Sequence, residues 1–369
     1  MYFSGTLSID PSQATKIETV KPTKAFGKLF YMLTAGKLSK KEEHETFSAV
    51  SILQQLNQVM RSAGINNIVR LAQDNHDFYL DVEGRSDDLK EALDEYMIKV
   101  DEIESELFNH LYLVLEHVDD HLSYLVEIDI SRKHAPGVYP ITINMNGMAE
   151  RLRLRKNESP KELQARMQQI MASQEQHDAF VNECRARFEE FVNNIELGIR
   201  KFVRVDDVKK TCSTEIIRPK KPVQNKNQVR HRRDGQPVYA GYHGFDDSFF
   251  YAWMWSSMLH SNHIHVHNIS VVDEGGSAIM DVGAEGFNAG DGNALNPAEE
   301  FEAPAEGDID FHHGDHDYQD SIPSDGSDSW LDSFTSDSSD FDSDTSGCSS
   351  CSSCSSCSSC SSCGGCGGD

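Results

Sequence analysis

The charged residues of this chain are divided so unevenly that only its first part has the composition of a globular domain. All 34 Lys and Arg residues lie at or before Arg233, whereas 25 of the 60 Asp and Glu residues lie after it. Residues 234–369 therefore carry nearly all of the net charge of −26. Like charges at this density repel nucleic acid and anionic lipid. We expect one folded domain followed by an acidic extension, with nucleic acid unlikely as a partner.

Within residues 1–205, several stretches have apolar residues at helical spacing. The third of them begins with a Ser-x-x-Glu capping box at Ser159 and Glu162, which is typical of a helix start. A polar interval at residues 174–178 indicates a possible break in that long helix. The predicted helices span residues 42–62, 86–103 and 159–202.

Other stretches alternate apolar and polar residues, as half-buried strands do. The clearest alternation is that of Leu122, Tyr124, Val126 and Ile128, and it predicts a hairpin that turns at residues 119–120. For residues 107–118 a continuing helix is the alternative. The other predicted strands are a hairpin within residues 66–84, a strand at 138–147 and a further one at 148–156. The sum is an α+β domain over residues 1–205, an antiparallel sheet packed by helices.

A basic stretch, residues 206–238, follows this domain and is predicted to be a linker. Positions 209 to 233 contain nine Lys and Arg residues and a single Glu, and large apolar residues are scarce there. Three interpretations remain open: a solvated spacer, a docking site for nucleic acid or anionic lipid, and a weak, salt-sensitive contact with the protein's own acidic extension.

Residues 239–272 form an aromatic, histidine-rich segment inside the acidic half. Its apolar core at residues 249–255 is far too short to cross a membrane. The segment can pack back on the domain, dock in a partner's groove or touch a membrane surface. Four histidines follow the core and are candidate ligands for zinc, nickel or copper, on one strand face or one helix face. They are His260, His263, His265 and His267.

Residues 273–347 are rich in Gly, Ala, Ser and Asp without periodicity, which predicts disorder. The last segment, residues 348–369, places a cysteine at every third position among Ser and Gly. These cysteines are the main candidate metal ligands: Cys348, Cys351, Cys354, Cys357, Cys360, Cys363 and Cys366.

The repeat consists of overlapping C-x-x-C units, and two such units complete a tetrahedral site of four sulfurs. Thiolates favour zinc and copper(I), so those are the cofactors we expect. Repeat slippage without a function, disulfide formation and lipidation are the competing interpretations. An odd number of cysteines disfavours complete disulfide pairing.

The chain contains none of the common hydrolase, nucleotide-binding or zinc-protease motifs. It also shows no secretory signal and no apolar run that could cross a membrane, so we expect a cytoplasmic protein with reduced thiols. Three hypotheses remain: a non-enzymatic binding protein with an α+β interaction domain and a metal-chelating tail, an adaptor or chaperone-like protein with an inert solubilising tail, and an enzyme without a recognisable motif. The sequence does not identify the protein partner.

Overall fold

The computed structural model describes the part of the chain in which the helices and strands lie. These residues are 1–9, 19–34, 38–74, 76–81, 89–90, 92–93, 108–132, 140–152, 158, 160–203, 205, 207–218, 247–273, 277–291 and 295. All of them belong to one of two compact units, Met1–Gln319, and the second unit, Asp320–Asp369, lies outside the described residues.

A nine-stranded sheet forms the centre of the described structure, in the spatial order β10-β9-β7-β1-β6-β5-β4-β2-β3. Neighbouring strands run antiparallel, except that β7 and β9 are parallel. A two-stranded ladder of β8 and β11 is separate from this sheet. The strands are β1 Tyr2–Ile9, β2 Asn67–Gln73, β3 His76–Leu80, β4 His110–Val118, β5 Leu122–Ser131, β6 Ile141–Ala149, β7 Val208–Ile217, β8 His265–Val266, β9 Ile269–Val272, β10 Ala278–Val282 and β11 Phe287–Asn288.

The helices begin at polar caps where the sequence supplies them. Ser39 forms a capping box with Glu42 at the start of α2, and the Ser173 hydroxyl accepts a hydrogen bond from Gln176 N at the start of α4. No helix in the described part of the chain is long and apolar enough to cross a membrane. The helices are α1 Lys24–Thr34, α2 Lys40–Ser62, α3 Pro160–Ile170, α4 Gln174–Phe202 and α5 Asp247–Ser261.

Helix α4 packs closely on one face of the sheet because glycines lie beneath it. The ring of Phe188 covers Gly5 of β1 and Gly147 of β6, where a β-carbon would come within about 3 Å of the ring. Helix α2 crosses α4 at a similar close approach between Val59 and Gly198. Helices α1, α2 and α4 thus form a layer over this face, with α1 attached through α2.

The opposite face of the sheet carries a strip of buried apolar side chains that runs across several strands. Helix α5 reaches this strip through Ala252. The strip contains Tyr2, Val69, Val114, Leu125, Met148, Ile217 and Val272. Helix α5 therefore belongs to the folded body, as the packing interpretation of the aromatic segment predicted.

The structure confirms the predicted α+β class and the mainly antiparallel sheet. Both predicted hairpins are present, as β2–β3 and β4–β5, so the helical alternative for residues 110–118 is wrong. The break in the long helix falls at residues 171–173, slightly before the predicted interval. Of the helix predicted at residues 86–103, positions 89, 90, 92 and 93 are helical and the rest lie outside the described residues.

Three predictions need correction. Of the further strand predicted at residues 148–156, Met148 and Ala149 are the end of β6, Glu150–Leu152 is instead a short 3-10 helix that buries Leu152, and residues 153–156 lie outside the described residues. The linker prediction fails for residues 208–217, which form β7 between β1 and β9. The prediction of disorder is wrong for residues 277–291, which contain β10 and β11. The remaining linker and tail positions lie outside the described residues, and those predictions are untested.

Candidate functional site

The cysteine repeat, which is the main predicted site, lies outside the described residues and stays a prediction. The described residues contain two other cysteines, both free thiols: Cys184 is on the buried face of α4 and Cys212 is exposed on β7. Burial raises the pKa of Cys184 to about 12, and the charge of Glu183 adds to that shift. Partial desolvation also raises the pKa of Cys212. Both thiols therefore stay protonated at neutral pH and are poor nucleophiles.

The four predicted histidines do not share one helix or strand. His260 ends α5, His263 lies in the following turn with a positive φ of 51°, and His265 opens the two-residue strand β8. His265 Nε2 lies 3.1 Å from the Glu285 carbonyl. Nowhere among the described residues do three His, Cys, Asp or Glu side chains gather to hold a metal ion. The described structure thus gives these histidines no common metal centre.

A different histidine, His177, lies at the junction between α4 and the segment that carries the predicted histidines. His177 is only 3% exposed, and its Nδ1 lies 3.2 Å from Asp178 Oδ1. Its Nε2 is buried without a hydrogen-bond partner. The ring stands 6.3 Å from the ring of Trp255 on α5, and Trp255 Nε1 is also buried without a partner. Two polar ring atoms are therefore left unsatisfied at this junction, which is costly in a folded protein.

His177 lines a small pocket between α4, β7 and the chain around β8 and β9. Asp178, Arg185 and His267 supply its other charged or titratable side chains, and Ile216, Val266 and Ile269 its apolar wall. The pocket leaves about 10 Å³ for the centre of a water molecule, which is room for about one water. The pocket is too small for an organic ligand in this conformation.

The electrostatics of the pocket keep His177 neutral. Burial lowers the pKa of His177 below its ordinary value, the hydrogen bond to Asp178 opposes that shift, and the nearby His267 adds to it. A neutral imidazole needs one donor and one acceptor contact, and Asp178 accepts from Nδ1–H. An imidazolium would carry a second N–H, on Nε2, for which the described residues offer no acceptor.

Further hydrogen bonds join the same two parts of the chain. The Gln174 side-chain amide donates to the His265 carbonyl and accepts from His265 N, each at 2.8 Å. The Ser256 hydroxyl donates to the Ile217 carbonyl at 3.4 Å. Phe180 packs beside Trp255 with ring centroids 6.1 Å apart. The junction is therefore a packed interface within the protein, to which the first turns of α4 and strand β7 both contribute.

A second titratable cluster closes the β4–β5 hairpin against α4. The Asp119 carboxylate accepts hydrogen bonds from His121 N and Leu122 N, each at 2.7 Å, and from the Tyr124 hydroxyl at 2.8 Å. The Tyr124 ring stacks on Phe191, with centroids 3.9 Å apart. Burial lowers the pKa of His117 beside them. These contacts fix a turn and anchor it to the helix, which is a structural role.

Sequence reasoning overlooked the His177 junction, although one signal points to it. His177 lies three residues before Phe180 and seven before Cys184, so helical periodicity places it on the buried face of α4. Its partner Trp255 belongs to a part of the sequence whose packing was left open. The pairing of the two therefore emerges only from the fold.

Comparison with known proteins found no matching family model, no matching curated protein and no matching solved structure. The functional argument therefore rests on this chain's own residues.

Proposed function

We propose that this protein is a non-enzymatic, cytoplasmic metal-binding protein, in which the α+β body contacts a partner protein and the cysteine repeat binds zinc or copper(I). The observation that carries the proposal is the spacing of the seven cysteines, one at every third position from Cys348 to Cys366. Each C-x-x-C unit lets a turn direct two sulfurs to one ion. The serine and glycine spacers have small side chains and leave the chain free to wrap around it.

Seven thiolates are enough for two zinc ions, each with four sulfurs, if one sulfur is shared. The same ligands suit a small copper(I) cluster, because both ions prefer soft sulfur donors. Binding must release protons, since only thiolates coordinate. Carboxylates of the acidic segment before the repeat disfavour free thiolates and so make the unloaded repeat a sluggish nucleophile. A bound cation reverses that effect.

The burial and pairing state of the two cysteines in the described body support this proposal. Cys184 is on the buried face of α4 and its pKa is raised to about 12, so metal ions have no access to a thiolate there. Cys212 is exposed and is a free thiol, with no disulfide to another cysteine of the described residues. Soft metal that binds this protein should therefore bind at the repeat.

The test is the metal content of the reduced full-length chain, titrated with zinc at micromolar free concentrations. We expect about two zinc equivalents, and the same amount in a control variant with Cys184→Ser and Cys212→Ser. A variant with all seven repeat cysteines changed to serine should bind none at these sites. Equal zinc in the native chain and the seven-serine variant, or no zinc in either, would refute the proposal and favour the adaptor with an inert tail.

A further inference from the structure

The junction at His177 attaches residues 247–272, called here the 247–272 segment, to the rest of the body. Strand β9 pairs with β7 at only three positions, Glu215 to Ile217. The other attachments are the packing of α5, the Gln174 pair with His265, and single hydrogen bonds from Ser256 to the Ile217 carbonyl, from Arg218 N to the Val272 carbonyl and from Gln168 to Asn262. A segment held by so short a ladder depends on its side-chain contacts, and elements with few such contacts open locally before the body unfolds.

His177 occupies the middle of this attachment. Its ring contacts Trp255 of α5 on one side and lines the pocket with Val266 and His267 on the other. Trp255 is among the largest fully buried side chains of the protein. Any change that makes His177 unfavourable in this site therefore acts directly on the contact between α4 and the 247–272 segment.

We propose that His177 is an acid-sensitive latch, which holds the 247–272 segment on helix α4 while its imidazole is neutral and releases it when a proton is added at Nε2. The added proton places a donor where the described residues supply no acceptor, in a buried site. Opening of the segment exposes the ring to water, where the imidazolium is solvated. The proton thus favours the open form over the closed one.

The groups that face His177 modify this response without removing it. On its own helix, Asp178 stabilises the imidazolium, whereas Arg185 opposes it by charge. From the other elements, His267 and the Met1 end of β1 line the same pocket, and each adds positive charge if protonated. Helix α5 contributes Trp255, which is uncharged.

The sign of the effect follows from the pKa of His177, which burial lowers in the closed form. The open form binds the proton more readily, so closure is fully stable above the ordinary histidine pKa of 6.5 and weakens as pH falls below it. One proton taken up on opening raises the opening equilibrium by up to about tenfold for each pH unit. The effect levels off below the pKa of the closed form.

Hydrogen exchange measured on peptides from residues 254–272 of the full chain tests the latch between pH 7.5 and pH 5, after correction for intrinsic exchange rates. Native protein should show opening that increases as pH falls, by up to about tenfold per unit. His177→Phe keeps an aromatic ring but cannot titrate, so its opening should depend on pH much less than that of the native protein, with a remainder from the Met1 amino group, whose pKa burial lowers to about 5. His117→Phe is the matched control, because it removes the other described imidazole with a lowered pKa and should leave the response intact.

Asp178→Asn is a second test variant. It should increase the opening of the 247–272 segment at low pH, whereas His177→Phe should reduce the response. Asp178 is partly exposed, and asparagine still accepts a hydrogen bond, so the fold should persist. Removing its charge takes away the group that favours the imidazolium, and opening at pH 5 should therefore exceed that of the native chain. A native response that is flat, or one that persists unchanged in His177→Phe, would overturn the latch, as would an Asp178→Asn response smaller than the native one.

Discussion

The ring of Phe188 lies so close to the backbone of Gly147 that a β-carbon added to this glycine would come within 2.7 Å of Phe188 Cδ2. Phe188 is 1% exposed and is enclosed between α4 and the sheet, so the ring cannot move aside without disturbing its neighbours. We expect Gly147→Ala to lower the free energy of unfolding by about 2 kcal/mol, measured by urea denaturation.

Gly27 provides the matched control for this substitution. It lies within α1, and a β-carbon there meets nothing within 4 Å, so Gly27→Ala should be neutral or stabilise the protein by up to about 1 kcal/mol. Combining Gly147→Ala with Phe188→Leu should recover part of the loss, because leucine lacks the ring edge. If Gly147→Ala leaves stability unchanged, helix α4 does not pack on β6 as described.

The Tyr124 hydroxyl makes a second testable contact, its hydrogen bond to the Asp119 carboxylate. Burial raises the pKa of Tyr124, and Asp119 raises it further, so the hydroxyl stays protonated and donates throughout the usual pH range. Tyr124→Phe keeps the stacking on Phe191 and removes only this bond. We expect a loss of about 1.5 kcal/mol in unfolding free energy, whereas Tyr31→Phe at an exposed position should cost nothing measurable. Equal stabilities of the two variants would show that the bond is not formed.

The two described cysteines should differ in their reactivity towards iodoacetamide. Cys212 is exposed and should react at pH 8, whereas Cys184 should stay unmodified until the protein unfolds. Because burial raises the pKa of Cys184 from its ordinary value of 9.0 to about 12, unfolding releases its proton in this interval, and stability falls as pH rises from 9 towards 12. In the Cys184→Ala variant, the free energy of unfolding should decrease less steeply over this pH interval. Peptide mapping by mass spectrometry separates these sites from the repeat, and equal labelling of both would refute the buried position.

Limited trypsin treatment checks the revised boundary of the predicted linker. Lys209 and Lys210 lie in β7, which pairs with β1 from Val208 to Glu215, so a protease must first open the strand to cut there. Lys226, Arg230 and Arg233 belong to the stretch that the sequence still predicts to be a linker. We expect cleavage after these three residues before any cut at Lys209 or Lys210. The reverse order would contradict the place of β7 in the sheet.

The elements that the sequence predicted well are those whose local pattern already matches their final burial. The β4–β5 hairpin is an example, since the alternating apolar residues from Leu122 to Ile128 are buried and Tyr124 packs on α4, although the residues between them are buried on the opposite face as well. Strand β7 was missed because its first half, including Lys209 to Ser213, is exposed and polar, while β9 covers only its last residues. Its pairing depends on strands distant in sequence, and local periodicity carries no such information.

The candidate sites show the same limit. The repeat could be proposed from its spacing alone and stays a prediction, whereas the histidines at 260–267 suggested a shared face that the turn at His263 removes. Helical periodicity predicts that His177 is buried. Its contact with Trp255 is visible only in the fold, which brings the two rings together. A site formed by one stretch of the chain can be proposed from the sequence, whereas a site formed by two distant stretches can be recognised only when the fold shows how they pack.

X-ray absorption at the zinc edge of the zinc-loaded full chain is the most direct test of the proposed function. If the repeat binds the metal, the spectrum should show four sulfur neighbours at about 2.3 Å, and the same spectrum should come from the control variant with Cys184→Ser and Cys212→Ser. Zinc coordinated mainly by nitrogen or oxygen at about 2.0–2.1 Å would contradict the account, because the ion would then sit on histidines or carboxylates and not on the cysteine repeat.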